Sequence, residues 1–338
     1  RSAGPAPVRL SRDMAWQPSA SLDTLAQRAR LLGAARNFFS TRGLLEVQTP
    51  TLVAHAVSDP HLFNMATSLA DGRRLWLHTS PEYHMKRLLA AGAPDTWQLG
   101  KVYRDGEAGR CHEPEFTLVE WYRHGYTLGA MASETCELIA ALAAAVGRSL
   151  TTPAFISYGE LFVSAVGIDP LTADATTLCN CARKVLGSSL GMELEKGLGN
   201  DIDAWLDLLM SHAVTTHLAG TEIAVVSDYP ASQAALARID PADERIAERF
   251  EVFCAGLEVA NGYRELCAVD EQARRFSADR ATRARLGRPD AVPDPALLAA
   301  LEAGLPDCAG VALGFDRVLM FLLDLPDIRS GISFPPGS

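Results

Sequence analysis

Three glutamates, Glu251, Glu258 and Glu265, recur at intervals of seven in the segment RFEVFCAGLEVANGYREL. If that segment forms a strand, a turn and a second strand, the spacing aims carboxylates into one cleft, where they hold Mg²⁺ against phosphates or accept a substrate ammonium. Taken alone, the segment fits ordinary surface glutamates equally well. A second group lies in VYRDGEAGRCHEPEFTLVEWYR. The two-residue period of a strand puts Phe116, Leu118, Glu120 and Tyr122 on one face. Arg104 closes the facing strand, and Arg110 and His112 lie in the loop between. An anchored arginine, a loop histidine and a flat ring suit a nucleotide, with charge for phosphate and a ring for the base. In the third group, GVALGFDRVLM, Asp316 and Arg317 interrupt an apolar run, and Gly310 and Gly314 flank Ala312 as though backbone approaches something closely.

These groups need elements to hold them. Ser21 is placed to cap a helix with Leu22, Leu25, Ala29, Leu32, Ala35 and Phe39 on one stripe, ended by Gly43. A strand is expected over Leu45 to Thr49, stopped by Pro50, and another over Leu75 to Thr79. Ser80 and Pro81 then form an N-cap and first-turn pair for a helix over Glu82 to Ala91. Strands over Trp97 to Tyr103 and Glu115 to Arg123 make a long hairpin, followed by a helix over Gly129 to Val146. Residues 172–218 read as a helix-rich insertion, after which strands resume over Ile223 to Ser227 and across Phe250 to Leu266. Hairpins with helices segregated between them predict an α+β fold, a mainly antiparallel sheet flanked by helices. Residues 1–14 read as a disordered extension and 15–338 as one catalytic domain.

Composition narrows the function. The chain of 338 residues is 48% hydrophobic and 21% charged, as expected of a globular protein, and its net charge of −10 argues against a broad basic nucleic-acid surface. No glycine-rich dinucleotide or P-loop motif occurs. The seven cysteines include no C-x-x-C pair, so reduced thiols of a cytoplasmic protein are expected rather than zinc ligands. No apolar run reaches membrane-span length and no secretory signal is visible, so no membrane partner is expected.

The hairpin, the segment GLEVANGYREL and the closing GVALGFDR resemble the three catalytic regions of class II lysyl-tRNA synthetases, and RGLLEVQTP resembles that class's dimer-forming motif. TSPEYHMKRLL, NGYREL and GVALGFDR are more similar still to a branch of that class that joins (R)-β-lysine to a lysine side chain of elongation factor P. The resemblance runs from Trp16 onward and implies a class II catalytic core using ATP and Mg²⁺ as a homodimer. It further implies that Arg104 and Arg317 are catalytic, Arg104 on the α-phosphate and Arg317 over the adenine toward the γ-phosphate. Phe116 would stack on the base, and His112 would sit near the outer phosphates. Asp105, Gly106, Glu107, Glu113, Glu258, Val259 and Gly314 complete the implied ATP set, and Glu251 with Glu258 the Mg²⁺ carboxylates. Glu265 would accept the substrate ε-ammonium and Glu82, beside Ser80 and Pro81, would read the second amine. Glu120, Tyr122, Asn261 and Ala312 are implied in the same pocket.

Two positions depart from the family's pattern. A glutamate usual two residues after the hairpin arginine is Gly106, and an asparagine usual after the histidine is Glu113. About twenty residues precede the first helix, where lysyl-tRNA synthetases carry an OB anticodon domain, so tRNA is not the expected acceptor. Two rival readings are an enzyme activating α-lysine for another acceptor and a catalytically silent paralogue. Ala312 separates the first from the β-lysine reading: lysyl-tRNA synthetases usually have glycine there, and a methyl disfavours an amine on C2.

Overall fold

A computed structural model describes residues 16–336; the expected extension over 1–14 lies outside them. Helix α1 (Leu22–Thr41) starts where Ser21 Oγ accepts the Thr24 amide and buries Leu31, Ala35, Phe38 and Phe39. The stripe expected from sequence is thus rotated: Leu22 is 79% exposed, and the buried side runs through Leu31 and Phe38. Short strands β1 (Leu45–Glu46), β2 (Leu52–Val53), β3 (Ala66–Ser68) and β4 (Arg74–Leu77) follow, so the strand expected over Leu45 to Thr49 is only two residues long. Helix α2 (Glu82–Ala90) follows Pro81, whose backbone angles are already those of a first turn, and Ser80 Oγ accepts the Glu82 amide at 3.3 Å as a cap does.

Strands β5 (Thr96–Tyr103) and β6 (Glu115–His124) make the expected hairpin, and α3 (Leu128–Ala145) crosses behind it, capped by Thr127. Strand β7 (Ala154–Ser157) and α4 (Tyr158–Val166) are followed by α5 (Ala175–Leu186), α6 (Met192–Leu198) and α7 (Ile202–Leu209), with irregular turns to Leu218. Strands β8 (Ala224–Pro230), β9 (Ile246–Cys254) and β10 (Leu257–Arg264), helices α8 (Val269–Arg285) and α9 (Pro295–Gly304), strand β11 (Cys308–Gly314) and helix α10 (Phe315–Leu322) complete the order.

Eight strands form one sheet in the order β1-β5-β6-β11-β10-β9-β8-β7, antiparallel except where β1 meets β5 and β7 meets β8; β2, β4 and β3 form a small second sheet. The α+β expectation holds. One face of the large sheet presents Trp97, Val119, Trp121, Val252, Val311 and Leu313 to α1 and α3. Helix α3 is the one helix among the described residues long and apolar enough to cross a membrane, and half of it is buried. Its Leu138, Ile139 and Leu142 pack in that core, which accounts for its composition. A second core joins α4, α5 and α7 to β8 and Phe253, so the helices near the expected insertion pack on the β7–β9 end of the sheet.

Candidate active site

The other face of the sheet carries a row of polar residues set by register. Gln98 on β5 pairs with Glu120 on β6, Glu120 with Ala312 on β11, Ala312 with Asn261 on β10, and Asn261 with Glu251 on β9. Directly opposed residues of an antiparallel pair share a face, so five side chains from five strands point the same way. The next row holds Tyr122, Gly310, Tyr263 and Arg249. A regular strand would put Glu258 and Asn261 on opposite faces, since an odd number of residues separates them. The register shift between Glu258 and Ala260 inserts a β-bulge that returns Glu258 to the Glu251 face. The seven-residue interval therefore works through a turn at Ala255 and Gly256, both with positive φ, and one bulge.

Glu251 is 9% exposed. It accepts Arg249 Nη2 on Oε1 and the Tyr229 hydroxyl on Oε2, each at 2.6 Å. Burial, then the neighbouring charge of Glu258, raises its carboxyl to about 6, with Arg249 opposing. Arg249 also reaches Asn261 Oδ1 at 3.3 Å, and Asn261 donates to Tyr263 Oη at 2.9 Å.

On one side of this row, beside Tyr122 on β6 and Gly310 on β11, stands an anionic cluster. Glu120 is 2% and Glu265 1% exposed, Tyr122 donates to Glu120 Oε1 at 2.8 Å, and Glu82 faces them from α2. Burial first, then Glu82, holds the Glu120 carboxyl well above the usual range. Glu265 is raised to about 7 by burial, against the pull of Lys86, because one lysine undercompensates three carboxylates. A Cβ added at Gly310 would overlap the Glu265 carboxylate and the Tyr122 ring, so a glycine is required there.

In the opposite direction along the strands, past Phe116 on β6 and Gly314 on β11, Arg317 on the first turn of α10 ties three segments together. It donates from Nε to the Cys111 carbonyl at 3.2 Å and from Nη1 to the Glu258 carbonyl at 2.9 Å, and its Nη2 lies 2.6 Å from His112 Nε2. His112 is lowered by burial and then by Arg317, so a neutral ring accepts from the guanidinium. Arg104 follows β5, its guanidinium 5.0 Å from the Phe116 centroid and 3.6 Å from Glu107. At Gly314 a Cβ would meet Arg317 Cδ and the Val259 carbonyl at an ordinary 3.7 Å, so no protein atom there demands a glycine, whereas at Gly310 protein atoms do.

Glu113 is buried at 1% and bonded to Arg329, which follows α10 in the turn Ile328–Gly331. Gly106 has φ +76° and Asp105 Oδ1 accepts its amide at 2.8 Å. The structure thus brings Ser80, Glu82, Glu120, Tyr122, Asn261, Glu265 and Ala312 to one end of a cleft, and Arg104, His112, Phe116, Glu258 and Arg317 to the other. Sequence reasoning missed Lys86, Arg249, Tyr229, Gln98 and Tyr263. Lys86 had a signal, four residues after Glu82 on a helix; Tyr229 had none, because β8 reaches the row only through tertiary pairing.

An antiparallel sheet with helices behind it, a hairpin arginine and a second arginine opening the last helix define a class II synthetase catalytic core. The chain belongs to the class II tRNA synthetases (D, K and N), whose family model matches residues 10–337. Within that family it groups with proteins named elongation factor P–(R)-β-lysine ligase. Those of Yersinia pestis (strain Pestoides F) and Yersinia pseudotuberculosis serotype O:1b (strain IP 31758) are each 42% identical over 331 residues, covering 96% of this chain and 99% of theirs.

Proposed function

We propose that the chain is an ATP-dependent ligase that activates (R)-β-lysine and transfers it to a lysine side chain of elongation factor P. The observation that carries this reading is the polarity of one sheet face along its strands: a buried anionic cluster for ammonium groups on one side of the row, and two arginines for phosphates on the other. A diamino acid lying between them has its carboxylate directed toward the phosphate end.

In the first step a carboxylate oxygen attacks the α-phosphorus and the bond to the β-phosphate oxygen breaks, releasing pyrophosphate. Arg104 and Arg317 stabilise the charge that develops, and Phe116 with Arg317 sandwiches the base. In the second step the acceptor ε-amine, having lost its proton, attacks the carbonyl carbon and AMP departs from it, leaving an amide. No covalent enzyme intermediate forms, and rate comes from orientation and charge. Glu251 and Glu258 suit Mg²⁺: both offer hard oxygens, Glu258 is 41% exposed at its side chain, and their mutual repulsion raises Glu251. A bound Mg²⁺ supplies charge neutralisation on the phosphates. Among the described residues no cluster of three or more protein ligands exists, which fits an ion completed by ATP oxygens.

Ala312 stands between Glu120 and Asn261 in register and supports the β-amine preference by crowding C2. Leu45 in RGLLEVQTP is 49% and Leu52 just after it 43% exposed, which supports a homodimer covering that segment. Seven free cysteines support a cytoplasmic location, and the charge of −10 supports a protein acceptor rather than tRNA. ATP–pyrophosphate exchange with (R)-β-lysine and α-lysine, followed by transfer to elongation factor P, tests the reading. Preferred exchange with α-lysine would replace it.

A further inference from the structure

Lys86 lies one turn beyond Glu82 on α2, and its side chain runs inward. A lysine ordinarily carries its ammonium out to water; this one is 2% exposed. Nζ sits 2.7 Å from Glu82 Oε1 and 2.6 Å from Glu265 Oε2. Burial alone would lower its pKa, but the Glu265 and Glu82 carboxylates overcome that and hold it raised, so the charge is permanent. The third carboxylate, Glu120, has Oε2 buried and without a partner among the described residues. Three carboxylates therefore share one fixed cation, and when all are ionised the cluster carries two uncompensated negative charges.

Resting on the proposed function, we infer that Lys86 is a positioning residue for the diamino acid. Its ammonium holds Glu82 and Glu265 at a fixed separation and sets the surplus at two negative charges, so that a substrate with two ammonium groups neutralises the pocket and one with a single ammonium group does not. A merely structural ion pair would hold α2 to the end of β10 without governing charge selectivity.

The two roles differ in how they respond to pH. The groups around Lys86 and its carboxylates are Glu82 and Tyr83 from α2, Glu120 and Tyr122 from β6, Tyr263 from β10, Glu265 and Cys267 just after it, and Cys308 from β11. Burial pushes those tyrosines and thiols upward, so they stay neutral, and burial also raises the carboxyls of Glu120 and, to about 7, Glu265. Without the lysine, carboxylates this close retain a proton to higher pH. A substrate ammonium must then displace that proton, at a cost of about tenfold per pH unit below the new pKa.

The test is pyrophosphate exchange by the full chain between about pH 6.5 and 8.5, with (R)-β-lysine and with 3-aminohexanoate, which lacks the ε-amine. Lys86→Met is expected to lower kcat/KM for (R)-β-lysine about 100-fold at the acid end, with at least a roughly tenfold recovery at the alkaline end. Its preference for the diamino over the monoamino substrate should shrink, while KM for ATP stays unchanged. Lys86→Arg, which keeps the charge, should retain the wild-type acid limb even at reduced rate, and it carries the test should Lys86→Met fail to fold. A deficit independent of pH, unaltered diamine preference, or a displaced acid limb in Lys86→Arg would overturn the inference. Wild-type enzyme that exchanges with no lysine isomer would instead overturn the proposed function, and this inference with it.

Discussion

The two sides of the polar row are built in opposite ways. At the ammonium end Glu120, Glu265 and Lys86 are nearly sealed from water, Lys86 paired with Glu265 and Glu120 held by Tyr122, and even backbone space is fixed by Gly310. At the phosphate end Arg104 and Glu107 each keep 27% of the side chain exposed and Glu258 keeps 41%. Charges buried in low dielectric must be compensated in place, so the ammonium end admits few alternative arrangements. At the phosphate end Gly106 lies in an exposed turn, whereas Glu113 is buried and bonded to Arg329. On the proposed function, substrate identity would be decided where burial is deepest.

The largest effect expected from breaking this contrast comes from the arginine that touches the reacting phosphate. Arg104→Ala should lower adenylate formation by about 10²–10³ with the thermal unfolding midpoint unchanged, because it deletes a charge contact made in the transition state. Pyrophosphate exchange alongside a melting curve checks both halves. At the sealed end, Glu265→Gln should weaken binding of any lysine isomer by about 10- to 100-fold, the roughly 1–3 kcal/mol lost when a buried charged acceptor is removed. ATP binding should be left alone; isothermal titration of each ligand separately distinguishes the ends, and equal losses would show that they are not independent.

Ala312→Gly should raise activation of α-lysine relative to (R)-β-lysine at least about tenfold, the scale of a single methyl in a tight pocket. Paired exchange assays that show unchanged selectivity would move the β-preference elsewhere. The pH profile sharpens the contrast further. Glu265 must be ionised to take an ammonium, and its carboxyl is raised to about 7, so kcat/KM for the diamino acid should fall as pH drops through that value and level off above it. The corresponding profile for ATP should lack this limb. The smallest effect is expected at Gly106, where φ is +76°. Gly106→Glu should restore no ATP affinity and should destabilise the fold by about 1 kcal/mol, since a side chain in that backbone region is strained. A lower KM for ATP would show that the loop can relax to accept the family's glutamate.

Local pattern made much of this protein legible. The period of two placed Phe116, Leu118, Glu120 and Tyr122 on one face, Ser21 marked the start of α1, and the β5–β6 hairpin fell within a residue of its place. Such signals depend on near neighbours in the chain, which the sequence displays directly. The inward stripe of α1 was misjudged because its first turn overhangs solvent and only the packing partner decides which side is buried.

The kinds of residue available for the chemistry, and their order along the chain, were determined by the sequence alone: arginines, a flat ring and three glutamates of fixed spacing. The tertiary structure decided which of them meet. Register across five strands aligned Gln98, Glu120, Ala312, Asn261 and Glu251, and a bulge after Glu258 turned that carboxylate to the same face. Neither can be read from one strand, because register depends on the partner strand, which for Glu120 and Ala312 lies far away in the chain. Lys86 shows the same limit. Its place four residues after Glu82 is that of an ordinary helix-surface pair, and only the arrival of Glu265 from the end of β10 makes it a buried cation whose cost of desolvation is met by two carboxylates.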